Sequence, residues 1–398
     1  MERAIKIGRD TYWLGERDYK AALFEALWPI PNGMTFNSYL IIDEKNLLID
    51  TVKECGAASF LERVSRSLPK GKELDYLVIN HMEPDHSGAL SLLCERFPKL
   101  KLIGNKKTVE FLDNFYQLGS RCSVVKDGES INLGEHQLSF HLTPMVHWPE
   151  TMMTFDETSK ILFSGDVFGA FGAQGGSLFD DEVKLKNYEA DLLRYYSNII
   201  AQYSSMVQKA LQKTKNIPLQ LIAPTHGILF KSNPQHIIDL YEKWSSQKCK
   251  EEIVVAYASM YGNTREMAQV AARAACVESS KPVIVHDLSS SHPSYVLSDT
   301  WIRKGLLLAS CSYNSGIFPA MREVLAHLKE KKYKDRKLAL ISNYSWSGGA
   351  KEAFESFANS FGAELLEPIL NFKSRADEKG LTDCESLGRN LAQQLTKC

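Results

Sequence analysis

The sequence predicts a multi-domain α/β protein. A layered αββα sandwich is expected over residues 1–249, followed by a doubly wound parallel sheet over 250–398. Three observations lead there. The first part is rich in short apolar strands in antiparallel succession, with helical segments between them. A polar stretch, Ser245-Ser246-Gln247-Lys248-Cys249-Lys250-Glu251-Glu252, then interrupts the pattern as a linker would. Beyond it, apolar strands alternate regularly with helices, which means a parallel sheet buried on both faces.

In chain order, 35–42 and 46–52 flank Asp43-Glu44-Lys45 and read as a hairpin. Residues 53–68 carry Ala58, Leu61, Val64 and Leu68 at helical spacing. Tyr76-Leu77-Val78-Ile79 is a buried strand, and Ser87 reads as the N-cap of a helix through Leu90, Leu93 and Phe97. Strands are expected at 100–103, 122–125, 136–142, 151–155, 161–163 and 219–222. Helices are expected at 109–116 and across 187–212. In the second part, strands at 253–257, 283–285, 306–308, 338–341 and 365–370 alternate with helices at 264–277, 319–329 and 350–360. A final amphipathic helix closes the chain.

Composition narrows the class. The chain has 398 residues, 44% of them hydrophobic, which is enough for two packed cores. A formal charge of −1 argues against nucleic acid, which wants a basic face. Met1 to Lys6 lacks the apolar run of a signal peptide, and no apolar segment is long enough to span a bilayer, so a cytoplasmic location without membrane contact is expected. The eight cysteines form no Cys-x-x-Cys pair, which disfavours zinc ribbons, rubredoxin-type iron and thioredoxin-like chemistry.

The densest chemistry lies in His81-Met82-Glu83-Pro84-Asp85-His86, on a strand-to-helix loop. Four ligand-type side chains this close would repel and desolvate one another unless cations sat among them. A pair of metal ions is the expected answer. His147, Asp166 and His226 also fall at strand ends, where they can converge with that loop. Any one of them alone proves little, since a lone histidine is more often a satisfied core or surface residue. His136, His141, His236, His286, His292 and His327 take that plainer reading, and Phe24, Trp28, Trp148 and Tyr195 are read as core aromatics.

His-x-Glu-x-Asp-His with His147, Asp166 and His226 resembles the metallo-β-lactamase fold, in its diiron branch. The hydrolases of that superfamily carry His-x-His-x-Asp-His, and Glu83 stands where their second histidine would be. Three carboxylates nearly balance two ferrous ions, and hard oxygen donors favour iron over zinc. The resemblance implies that His81, Glu83 and His147 hold one iron, that Asp85, His86 and His226 hold the other, and that Asp166 bridges. No catalytic residue beyond these ligands is expected.

Three loops of the second part carry a different chemistry. Ser259-Met260-Tyr261-Gly262-Asn263-Thr264 opens a helix, where backbone N–H groups, hydroxyls and the helix dipole favour a phosphate. It is neither a dinucleotide fingerprint nor a nucleoside-triphosphate loop. Ser312-Tyr313-Asn314-Ser315-Gly316 and Ser345-Trp346-Ser347-Gly348-Gly349 follow later strands, at the carboxyl ends where open α/β sheets bind ligands. The set resembles flavodoxin, which implies FMN, although Tyr261 departs from the threonine common there.

A lactamase-like diiron domain followed by a flavodoxin-like domain resembles the flavodiiron proteins over essentially the whole chain. This implies an oxidoreductase that reduces dioxygen to water, nitric oxide to nitrous oxide, or both. Electrons would come through FMN from an external donor such as rubredoxin, since no added rubredoxin or reductase module follows Cys398. Compact domains of these sizes have radii of gyration of roughly 18 and 15 Å, which is long for fast electron transfer within one chain. A head-to-tail homodimer, or a dimer of such dimers, is therefore expected. Two other readings stay open: a zinc-dependent hydrolase with an appended flavodoxin-like domain, and an electron carrier with an inert first domain. The choice between the two gases is not encoded in the motifs.

Overall fold

The computed structural model describes residues 4–395. Its chain divides into two compact units between Ser245 and Ser246. In the first, a seven-stranded sheet runs in the order Ile5–Gly8, Thr11–Trp13, Tyr39–Ile41, Leu47–Ile49, Tyr76–Val78, Lys101–Gly104, Cys122–Val124. A five-stranded sheet runs Ser130–Asn132, Gln137–Leu142, Met152–Asp156, Ile161–Phe163, Leu221–Ala223. Their facing side chains make one core, in which Tyr39, Ile49 and Val78 of the first sheet meet Phe140, Met152 and Phe163 of the second. Burying each large side chain there contributes about 1.5–3 kcal/mol.

The expected antiparallel succession holds only for part of the first sheet. From Leu47–Ile49 onward its strands pair in parallel. Parallel neighbours need crossovers, and helices Ala57–Ser67, Leu90–Arg96 and Lys106–Tyr116 supply them. Ser87 is not an N-cap. It ends the short helix Pro84–Ser87, and its hydroxyl donates to the carbonyls of Met82 and Glu83. The single helix expected over 187–212 is broken into Leu185–Tyr195, a π turn at Tyr196–Ile200, a 3₁₀ turn at Ala201–Tyr203 and Ser204–Thr214. Such π turns gather at functional sites, and this one follows Tyr195, whose ring lies 5.7 Å from that of His226.

In the second unit, parallel strands run Val283–Asp287, Lys250–Ala258, Arg303–Tyr313, Lys337–Tyr344, with Glu364–Leu365 and Leu370–Lys373 both on the last of these. The first strand in sequence lies between the second and third, so the connections change direction beside it. That crevice is where ligands bind in such sheets. The unit is doubly wound as expected. Helix Pro293–Trp301 was not foreseen, because its apolar pattern is diluted by serine and threonine. Pro293 at its first turn and the His292 ring, which accepts from the Ser294 N–H at 3.2 Å, start it. Among the described residues no helix is long and apolar enough to cross a membrane.

Candidate metal centre and flavin-type loops

Backbone pairing sets where the candidate ligands emerge. Phe163 and Ala223 are register partners on adjacent parallel strands, and each ends its strand. Asp166 and His226 follow three residues beyond those ends, as His81 follows three beyond Val78. Gly165 turns the chain toward Asp166 with φ +58°, a left-handed conformation that glycine adopts without strain.

The seven side chains come together in two groups. His81, Glu83, His147 and Asp166 can each offer an atom within 4.8 Å of the others, and so can Asp85, His86 and His226. His147 Nε2 lies 3.1 Å from Glu83 Oε2 and 3.1 Å from Asp166 Oδ2. His81 Nε2 lies 3.2 Å from Glu83 Oε2. On the other side, Asp85 Oδ2 is 3.4 Å from both His86 Nε2 and His226 Nε2. Asp166 joins the groups: its Oδ1 is 3.2 Å from His86 Nε2 while its Oδ2 faces His147.

Residues with no motif of their own aim these groups. His81 Nδ1 is 2.7 Å from the fully buried Glu150, whose same oxygen accepts the Met82 N–H at 2.9 Å. His226 Nδ1 donates to the Thr35 carbonyl at 2.7 Å. Both contacts hold the proton on Nδ1 and leave the Nε2 lone pair for a cation. Thr225 donates its hydroxyl to Asp166 Oδ1 at 2.5 Å. Buried Asp50 accepts the N–H groups of Asn80 and His81 at 2.7 and 3.3 Å, which fixes the start of the loop. Sequence reasoning missed Glu150, Asp50, Thr35 and Thr225. Asp50 had one usable signal, an acid directly after the apolar strand Leu47–Ile49.

Electrostatics show what the cluster wants. Burial disfavours charge on His86, yet the Asp85 and Asp166 carboxylates outweigh it and raise its pKa to about 9. Burial likewise opposes charge on His147, and contacts with Asp166 and Glu83 raise it to about 9. Asp166, although buried, is held well below the carboxylate range by His81 and His86. Both Asp85 oxygens, both His86 ring nitrogens and His226 Nε2 are buried without a hydrogen-bond partner. Groups that converge without hydrogen-bonding geometry are costly unless cations occupy the space between them. The donor set of four imidazoles and three carboxylates fits two divalent ions.

Aromatic rings close around the centre. Trp148 lies 5.3 Å from His81, and Phe24 lies 5.3 Å from His226. With Tyr195, three of the four aromatics read as core also border the site. His136, by contrast, is a core residue away from the cluster, its Nδ1 2.8 Å from buried Asp156.

In the second unit the three polar loops lie at the carboxyl ends of three adjacent parallel strands. Ser259 Oγ accepts the Gly262 N–H at 3.1 Å, and Ser312 Oγ accepts the Ala350 N–H at 3.2 Å. Ser315 and Ser347 hydroxyls meet at 3.3 Å, tying the second loop to the third. Tyr261 and Trp346 are 93% and 90% exposed, an unusual display of aromatic surface unless a flat ligand or partner covers it. Met260, Asn263, Tyr313, Asn314, Ser315, Ser345 and Gly348 are also exposed, and Gly262, Gly316 and Gly349 are partly so. Thr264 differs: it is buried, so its hydroxyl does not join the exposed surface.

Comparison with known proteins agrees with this architecture. Residues 34–227 match a family described as ODP family beta lactamase. The anaerobic nitric oxide reductase flavorubredoxin of Vibrio vulnificus is 32% identical over 98% of this chain and 79% of its own length. The rubredoxin oxygen:oxidoreductase of Desulfovibrio gigas superposes with a TM-score of 0.95 at 26% identity, covering 99% of this chain and 98% of that one. The flavodiiron protein of Giardia intestinalis does so at 0.95 and 25%, covering 99% and 97%.

Proposed function

This chain belongs to the flavodiiron proteins, and from that premise we propose how its own residues divide the work. The protein is an oxidoreductase, with FMN and a non-haem diiron site, that reduces dioxygen to water, nitric oxide to nitrous oxide, or both. His81, Glu83 and His147 hold one iron, Asp85, His86 and His226 hold the other, and Asp166 bridges them. The observation that carries this assignment is Asp166, whose two oxygens reach both groups. Glu83 favours this reading over a zinc hydrolase, because a third carboxylate suits iron and offsets its charge. When bound, the irons and flavin supply the electrons and the open coordination positions.

The chain's part is orientation and exclusion. Glu150 and the Thr35 carbonyl keep two imidazoles in the ligating tautomer. Phe24, Trp148 and Tyr195 keep the surroundings apolar, which suits a neutral diatomic gas. The loop at 259–264 would take the FMN phosphate at its helix N-terminus, while the loops at 312–316 and 345–349 would border the ring with Tyr313 and Trp346 and meet its polar edge with serines and backbone amides. The exposure of Tyr261 and Trp346, together with that of Leu23 and Leu27 on the first unit, supports a head-to-tail homodimer. The electron donor is proposed to be an external rubredoxin-like protein, and the setting cytoplasmic.

Metal and flavin analysis with anaerobic stopped-flow against each gas tests the proposal. Two irons and one FMN per chain, with rapid reoxidation by at least one gas, are expected. Zinc with no gas reduction would overturn it.

Three further results follow from the geometry. Without metal, the neighbouring carboxylates favour the protonated forms of His86 and His147, raising both to about 9. Ferrous loading at pH 7 must therefore displace protons, and a pH dye should record their release. Affinity should fall as pH drops, because protons then compete better. Glu150→Gln should weaken iron binding by about 10–100-fold, read in a competitive iron titration, while the chain keeps its melting temperature within a few degrees. Gly349 has φ +122°, and a Cβ there would meet the Ser315 carbonyl at 2.4 Å. Gly349→Ala therefore must move the neighbouring loop at a cost of about 1–3 kcal/mol. FMN affinity should drop about 10-fold in a flavin-fluorescence titration, with iron content unchanged.

A further inference from the structure

Beside the metal centre the first unit holds a run of tyrosine and tryptophan that ligation does not use. Tyr195 ends its helix 5.7 Å from the His226 ring, and Tyr196 opens the π turn next to it. Phe168-Gly169, two and three residues past Asp166, lies between Tyr195 and the next ring. A Cβ on Gly169 would stand 3.0 Å from the Tyr195 ring, while the Phe168 ring is 4.7 Å from that of Tyr241. From there the rings are contiguous: Tyr196 is 5.0 Å from Tyr241, Tyr241 is 5.6 Å from Trp244, and Tyr196 is 5.4 Å from Trp244. Tyr241 and Trp244 belong to helix Pro234–Ser245, and all four side chains are buried.

Packing alone would be better served by phenylalanine. The Tyr195 and Tyr241 hydroxyls are buried without a hydrogen-bond partner, which costs stability that a phenyl ring would keep. What tyrosine and tryptophan add is a π system that can lose one electron. The two differ in what that loss requires. An oxidised phenol must shed its proton, and none of the three tyrosines is paired with a base. Tyr196 donates to the Ser204 hydroxyl at 2.9 Å, and that hydroxyl donates to the Ala201 carbonyl at 2.7 Å. An oxidised indole keeps its N–H. The tyrosines are therefore stepping stones, and the electron vacancy comes to rest on Trp244.

Electron supply explains the need. Dioxygen takes four electrons, and two irons with one flavin carry four when full. A rubredoxin-like donor delivers them singly, so some turnovers start with three. We propose that Trp244 supplies the fourth electron in such turnovers, passed through Tyr241, Tyr196 and Tyr195 toward the metal centre. Dioxygen and four protons from water then become two waters, with two electrons from the irons, one from the flavin and one from Trp244. No bond of the indole breaks, and the electron returns along the same rings once the donor has refilled the centre. The path lies within the first unit and needs no opening to solvent. The proposal rests on the reading of the cluster as a gas-reducing diiron site.

The test takes protein loaded with iron and FMN, reduces it by three electrons per chain, mixes it with dioxygen and freezes it for electron paramagnetic resonance. The wild type should show an organic radical whose hyperfine lines narrow when its tryptophans are ring-deuterated. Trp244→Phe should keep iron, flavin and the rate of the fully reduced protein. It should lose the radical and release more peroxide from the three-electron state. Tyr241→Phe, which removes only an unpartnered hydroxyl, should delay and weaken the radical. The same signal in Trp244→Phe, a tyrosine signal in the wild type, or no radical at all would overturn the proposal and leave the diiron reading intact. Should Trp244→Phe fail to fold, an unaltered radical in Tyr241→Phe would overturn the relay. A fully reduced wild type that consumes neither gas would overturn the diiron reading itself.

Discussion

Asp166→Ala is expected to give a chain that keeps FMN, holds no iron pair and reduces neither gas. Asp166 is the proposed ligand whose oxygens reach both groups, 3.1 Å from His147 on one side and 3.2 Å from His86 on the other. Its removal takes a donor oxygen from each proposed iron, and their one shared negative charge, and leaves the Thr225 hydroxyl without its acceptor. Loss of one outer hydrogen-bond partner costs metal sites about 10–100-fold, so loss of a shared ligand should exceed about 100-fold in activity. Iron per chain and gas consumption under an electrode measure it. A variant with two irons and more than a tenth of the wild-type rate would show that the bridge lies elsewhere. The three loops proposed to hold FMN belong to the other compact unit, so flavin content serves as the internal control.

Glu83→His is the second large effect. It restores the His-x-His-x-Asp-His order of the hydrolases and keeps a ligand at the position. The donor set changes from three carboxylates to two, which leaves two divalent ions with one more uncompensated positive charge. Imidazole is also softer than carboxylate, so preference should move from iron toward zinc. Competitive loading should show the iron-to-zinc ratio falling about 10-fold, equivalent to about 1.4 kcal/mol. Gas reduction should fall by more than about 100-fold even in iron-loaded protein. Iron retention with normal turnover would remove Glu83 from its assigned role.

Much of this was legible in the chain itself. The loop from His81 to His86 stood out because four ligand-type side chains in six residues have no inexpensive structural use. The second unit was legible because a parallel sheet buried on both faces writes each strand as an unbroken apolar run. Other features left no such trace. Glu150 acts on His81 from 69 positions away, and Thr35 acts on His226 from 191. Such partners are single ordinary residues until folding brings them close. The hairpin carrying Phe24 has strands of two residues each, too short for any period to register. Ser87 misled because the helix it was expected to cap is interrupted at Gly88 and Ala89, with Ala89 standing at the N-cap of the next segment. The long helix expected over 187–212 misled because its apolar spacing continues through a π turn that periodicity does not reveal.

The offset of three residues between strand end and ligand has a practical consequence. Where each donor sits is dictated by main-chain pairing in the sheets, and what it donates is left to the side chain. Identity and location can therefore be altered separately at His81, Asp166 and His226. A protein engineer could retune the chemistry at those corners one letter at a time without rebuilding the frame.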